Sequence, residues 1–144
     1  MNKATTTKAG PEAGAPAPGE TVVLDSNKLE RTKVWGETDK AVSWQGAFAL
    51  YGGKGGTTAS STIVYEIEPG KRLGWHTDAT EETQYIIAGQ GKLYLEDGST
   101  QMVGPGSVFV IPTPVRHDLE NTGKETLRAV AFFAAAMFTQ DLTR

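Results

Sequence analysis

The sequence predicts an all-β fold, a sandwich or barrel of short strands. Three observations predict it. From Thr21 onward, short runs rich in β-branched and aromatic residues alternate with Gly, Pro, Asp and Asn breaks. No window before the last few residues carries a convincing helical period. A length of 144 residues suits one domain with a small but real core.

Taken in order, TVVL (21–24), RTKVW (31–35) and AVSWQGAFALY (41–51) read as the first strands. GGKGG (52–56) is a flexible connection; no helix pattern follows it, so it is not a phosphate cradle. STIVYEIE (61–68) is a strand closed by a turn at Pro69-Gly70. TQYIIAG, KLYLE, SVFVI, VRHDLEN and TLRAVAFFA follow, separated by GQG, DGS, GPG, Pro112 and NTG. Closing such strands into a barrel removes exposed edges. No internal repeat is present, so residues 21–144 are expected to form a single copy of one domain.

Residues 1–20 differ in kind. They are rich in Ala, Thr, Pro and Gly, with no bulky apolar residue after Met1. Such a segment buries too little surface to offset its ordering entropy and is expected to be a disordered tail.

Composition excludes several function classes. A net charge of −3 gives no electrostatic footprint for nucleic acid or an anionic membrane. The absence of cysteine removes disulfides, thiolate nucleophiles and cysteine-ligated metal sites. No apolar run resembles a signal peptide or a bilayer span, so a cytoplasmic location is expected.

The chemistry concentrates in two stretches that use both histidines of the chain. Gly70 is followed by five residues and His76, then by Asp78, Glu82 and Gly89. Gly106 is followed by five residues and Pro112, then by Pro114, His117 and Asn121. Strand side chains alternate faces, so His76 and Asp78 share a face, as do Glu82, Gln84 and Ile86. A small barrel can bring His76, Asp78, Glu82 and His117 to one interior point, lined by Ile86, Leu93 and Leu95. Buried imidazoles and carboxylates are costly unless paired or bound to a cation, and a divalent metal answers that cost. Two histidines with one carboxylate form the facial set associated with non-haem iron(II).

The two stretches resemble the paired motifs of the cupin superfamily, in its small single-domain, cupin 2-like form. There the first motif runs G, five residues, H-x-H, three or four residues, E, six residues, G. The second runs G, five residues, P-x-G, two residues, H, three residues, N. This sequence departs twice: Asp78 stands where a second histidine is usual, and Pro114 where glycine is usual. The resemblance implies a double-stranded β-helix (jelly-roll) barrel, often a homodimer. It also implies a divalent metal held by His76, Glu82 and His117, with Asp78 as a fourth ligand or a general base.

The plainer alternatives are two structural histidines and a solvated Glu82, as assumed for Glu81; the spacing favours ligation. Asp78 is shorter than histidine. It either ligates directly, or holds a bound water as orienter or catalytic base, or marks a metal-poor site. Asp78 and Glu82 together on a divalent ion give a neutral centre, which favours iron(II) or manganese over zinc; nickel is a further family metal. Gln84 reads either as a rim residue or as a substrate contact. Tyr65 reads as core first and pocket lining second. Trp35, Trp44 and Trp75 read as core or dimer-interface aromatics, and Gly89 and Asn121 as turn residues serving the fold.

The function expected from this set is a metal-dependent enzyme acting on a small organic molecule, with a lean to an iron(II) dioxygenase. The alternatives are a metal-assisted isomerase, epimerase, lyase or cyclase, a binding barrel without turnover, or a storage-type barrel with vestigial ligands.

Overall fold

The structure, a computed structural model, describes residues 5–8, 19–52, 56–136 and 139–142. Among these the architecture is all β. Twelve strands are β1 (Thr5–Lys8), β2 (Thr32–Trp35), β3 (Ser43–Leu50), β4 (Ser61–Ile67), β5 (Thr77–Asp78), β6 (Glu82–Ala88), β7 (Gly91–Leu95), β8 (Thr100–Val103), β9 (Val108–Ile111), β10 (His117–Asn121), β11 (Leu127–Phe133) and β12 (Thr139–Leu142). The one helical piece is a 3-10 turn, Ser26–Lys28, whose N-cap Asp25 accepts from the Asn27 amide.

A six-stranded sheet has the order β2-β3-β4-β11-β6-β9, and every neighbouring pair is antiparallel. Facing it is a three-stranded sheet, β10-β7-β8, while β1-β12-β5 forms a third small sheet. The two larger sheets enclose the core, which includes Ile63, Ile67, Ile86, Leu93, Leu119 and Leu127. This is the expected jelly roll, with two sheets packed face to face rather than one fully closed cylinder.

Interior rows on the large sheet explain where space is left. Ala131 of β11 lies between Ile63 of β4 and Gln84 of β6, and Ala129 lies between Tyr65 and Ile86. Two alanines at the centre of a sheet fill little volume. Long side chains on the flanking strands can therefore reach over them, and Tyr65 and Gln84 do meet there.

The strand pattern departs from expectation at several places. TVVL is extended and its burial alternates, but it joins no ladder, and Val23 is 92% exposed. Alternation alone does not make a strand when no partner edge is within reach. Thr100–Val103 is strand β8, paired with β7. Its alternation is weak because three of its four residues face solvent. Trp35 is 68% exposed and is not a core residue, whereas Trp44 packs against the core. Of the segment expected to be a disordered tail, Thr5–Lys8 is β1, paired with β12; the rest, 1–4 and 9–18, lies outside the described residues, as do 53–55 of the glycine-rich connection. No helix among the described residues is long and apolar enough to cross a membrane.

Gly89 ends β6 with φ +87°, and a Cβ there would sit 2.6 Å from Leu127 Cα. Gly98 has nearly the same φ, +88°, but open space around it. Gly98→Ala should therefore carry only the conformational penalty, about 1 kcal/mol, whereas Gly89→Ala should cost about 2–3 kcal/mol more through overlap with backbone that cannot yield. Urea unfolding of the two variants checks this; equal losses would contradict it.

Candidate metal centre

Two chain segments with no local reason to be near each other deliver the cluster. His76 and His117 are partners in an isolated antiparallel bridge, and each accepts the other's backbone N–H at 3.0 Å. Their rings therefore stand side by side, with centroids 4.2 Å apart. Asp78 lies on β5, two residues beyond His76 and on its face. Glu82 opens β6 and is buried, while the neighbouring Glu81 is exposed, as strand alternation requires.

Each ring is locked by its own backbone. His76 Nδ1 lies 2.7 Å from Gly74 O, and His117 Nδ1 lies 2.9 Å from Val115 O. A carbonyl only accepts, so both Nδ1 atoms carry the proton. The Nε2 atoms of both rings then face the same point. There they meet carboxylates: His117 Nε2 lies 2.8 Å from Glu82 Oε1, and Asp78 Oδ2 lies 3.8 Å and 3.7 Å from Nε2 of His76 and His117. One ligand atom from each of the four residues lies within 4.8 Å of all the others.

Such a group is electrostatically incomplete. Burial, and then the neighbouring His117, lower the His76 pKa to about 4, so this ring is neutral at physiological pH. Burial also pushes His117 down, but the Glu82 carboxylate, 2.8 Å away, reverses that and holds it above its usual value. Glu82 Oε1 and His117 Nε2 are buried atoms without a fully formed hydrogen bond. Acceptors converging in a dry site call for a cation between them. Metal–ligand bonds of about 2.1 Å place adjacent ligand atoms about 3 Å apart in an octahedron and opposite ones about 4.2 Å apart. The separations of 2.8 Å, 3.7 Å and 3.8 Å fall within that range to a few tenths of an ångström, and none exceeds 4.8 Å. All four residues fit a divalent metal, and the shorter Asp78 side chain does reach the cluster.

The residues around the centre fall into two groups. Tyr65, read as core first and pocket lining second, belongs to the buried core, and Gln84, read as rim residue or substrate contact, is buried. Both line a small cavity together with His76, Glu82 and Trp44. The Tyr65 hydroxyl donates to Gln84 Oε1 across the two alanines of β11. Burial, then the charges of Glu82 and Asp78, raise the Tyr65 pKa well above the usual phenol range. Tyr65 is therefore a neutral donor at any physiological pH. Trp44, read from the sequence as core or interface, also carries a buried Nε1–H without an acceptor.

Asp118 was not singled out by the sequence. It follows His117, points to the other face of β10 and is fully buried. Its Oδ1 accepts from Gly74 N at 2.9 Å, and Arg72 lies 3.4 Å from Oδ2. Gly74 has φ +92°, and a Cβ there would press on Val42 at 3.1 Å. Asp118 thus holds the same glycine whose carbonyl orients His76. Asn121 serves the fold as expected: its Nδ2 donates to Ile67 O and Glu125 O, each at 2.8 Å. Thr113 Oγ1 donates to Asp78 O and ties the second motif to the first.

A family model described as "Cupin domain" matches residues 63–133, the stretch that carries both histidines and both carboxylates. The chain belongs to the cupin superfamily. No curated protein matches this cupin by sequence. Among solved structures, the polyketide cyclase RemF from Streptomyces resistomycificus is 19% identical, with TM-score 0.67 over 79% of each chain. A protein named a predicted oxalate decarboxylase from Thermotoga maritima is 20% identical, with TM-score 0.64 over 79% of this chain and 99% of that one. The oxalate decarboxylase of Lactobacillus farciminis is 21% identical, with TM-score 0.63 over 79% of this chain and 33% of its own. At these identities the likeness is one of fold.

Two outcomes are expected. Elemental analysis by mass spectrometry of the purified protein should find near-stoichiometric divalent metal. His76→Ala or His117→Ala should remove most of it, and Asp78→Ala should weaken it less. Asp118→Ala should lower metal affinity about tenfold by freeing Gly74, while Asp118→Asn, which keeps an acceptor for Gly74 N, should retain most of it. Competition with a chromogenic chelator measures both; equal losses in the two Asp118 variants would contradict the positioning role.

Proposed function

We propose that this cupin is a metal-dependent enzyme that moves a proton on a small oxygen-bearing organic molecule, in the manner of an isomerase, lyase or cyclase. The observation that carries this reading is the fourth side chain. His76, Glu82 and His117 would hold a divalent ion, and Asp78, with Oδ2 3.8 Å and 3.7 Å from the Nε2 atoms of His76 and His117, would stand beside it as a fourth ligand or as a base. A second buried carboxylate at the centre suits proton transfer on a bound substrate, and this favours substrate activation over the dioxygenase chemistry suggested by two histidines and one carboxylate. The solved neighbours named above for cyclisation and decarboxylation support the same direction.

Two imidazoles with two carboxylates are a hard, charge-neutralising set, which favours iron(II) or manganese(II) over zinc or nickel. When bound, the ion supplies Lewis-acid polarisation of a substrate oxygen. The protein supplies the rest. Asp78 has two oxygens, so it can give one to the cation and take a proton from a substrate carbon with the other. The electron pair of the broken C–H bond then moves toward the substrate's carbonyl oxygen. Tyr65 fixes the amide of Gln84 by its oxygen, leaving the Gln84 NH₂ and the Trp44 Nε1–H as donors for that developing charge. Because Tyr65 stays neutral, it adds no second negative charge to the site.

The homodimer belongs to this proposal. The outer face of the large sheet leaves Tyr85, Val108, Val110 and Phe132 exposed, an apolar surface of the kind that self-association covers.

Protein loaded with iron(II) or manganese(II) should catalyse exchange of carbon-bound hydrogen with D₂O in a panel of 1,3-diketones, followed by NMR, without consuming oxygen at an electrode. Gln84→Leu should lower the rate about tenfold to a hundredfold. Stoichiometric oxygen uptake with turnover would return the reading to a dioxygenase.

A further inference from the structure

The small cavity beside the four ligands has a volume of only about 20 Å³. That is room for about one water molecule or a single substrate oxygen, not for the body of a substrate. A second chamber, of about 310 Å³, lies between β7, β8 and β9. It adjoins the centre through three residues. Leu95 is the cross-strand partner of His117, Ile111 is the partner of Glu82, and Val115 supplies the carbonyl that holds the His117 ring.

Its walls are apolar: Leu93, Leu95, Val103, Phe109, Ile111 and Val115. Its mouth carries Glu96, Asp97 and Gln101, all exposed. No lysine, arginine or histidine lines it among the described residues. Two arginines of the paired motifs have other partners. The Arg116 guanidinium lies over the Trp75 ring at 4.9 Å, and Arg72 pairs with Asp39 and Asp118.

We propose that this chamber receives the body of the substrate, and that it selects a neutral, largely apolar organic molecule against carboxylates and phosphates. An anion entering here would leave water for apolar walls, pass two carboxylates and reach a centre whose charge Asp78 and Glu82 have already cancelled. A neutral molecule loses little and buries apolar surface. The inference rests on the metal-centre reading for its chemistry, but the charge preference is a property of the chamber itself.

The test uses benzyl alcohol and benzoate, a pair of equal size and different charge, titrated by calorimetry into the full-length protein with and without manganese(II). Benzyl alcohol should bind at least about tenfold more tightly than benzoate in both forms. Gln101→Lys, a change at an exposed position, should raise the affinity for benzoate relative to benzyl alcohol about twofold to fivefold. Leu95→Trp should fill the chamber and abolish binding of both, with circular dichroism reporting the fold. Equal affinities in the wild type, no saturable binding of either probe, or no response to Gln101→Lys would overturn the proposal. Failure to load manganese(II) with the preference intact would instead refute the metal reading and leave the chamber standing.

Discussion

The molecule is organised around a single electrostatic demand: four acceptor side chains, two imidazoles and two carboxylates, share one dry point inside a small β fold. Their ligand atoms lie within 4.8 Å of one another. Packed without a cation, such a set would oppose folding, because two carboxylates and two imidazoles lose water and gain only the His117–Glu82 contact in return. Every local feature nearby makes sense as a means of holding these groups in place until a cation satisfies them.

The means are mostly backbone. The His76–His117 bridge sets the spacing of the two rings, and the Gly74 and Val115 carbonyls set their tautomer. Gly74 can serve only because it adopts positive φ against Val42, and Asp118 pins it from behind. The paired alanines of β11 open the space over which Tyr65 reaches Gln84. Fold stability and site geometry are thus coupled through the same few hydrogen bonds.

Much of this was legible in the sequence. Short β-rich runs with regular breaks were enough for the fold class. The spacing from Gly70 to Asn121 was enough to name His76, Glu82 and His117 together, because alternation along a strand converts spacing into facing. Asp78 was legible as a member of the site but not as one that reaches its centre; that depends on how the β5 backbone sits, which no side-chain pattern encodes. Asp118 was hidden because an acid next to a ligand histidine reads as solvent-facing until Arg72 and Gly74 are seen to cover it. TVVL misled because β propensity reports a willingness to pair and says nothing of whether an edge is within reach. The two cavities were unreadable: volume is a property of packing across sheets that meet only in three dimensions.

The central claim is that one cation sits among all four side chains. Crystals of the full-length protein, loaded with manganese(II) and measured on either side of the metal absorption edge, test it most directly. The account predicts a single strong anomalous peak about 2.1 Å from Nε2 of His76 and His117 and from a carboxylate oxygen of Glu82, with an oxygen of Asp78 in the same shell. A map with no peak there, or with the two rings turned away and their Nε2 atoms bonded to protein instead, would contradict it.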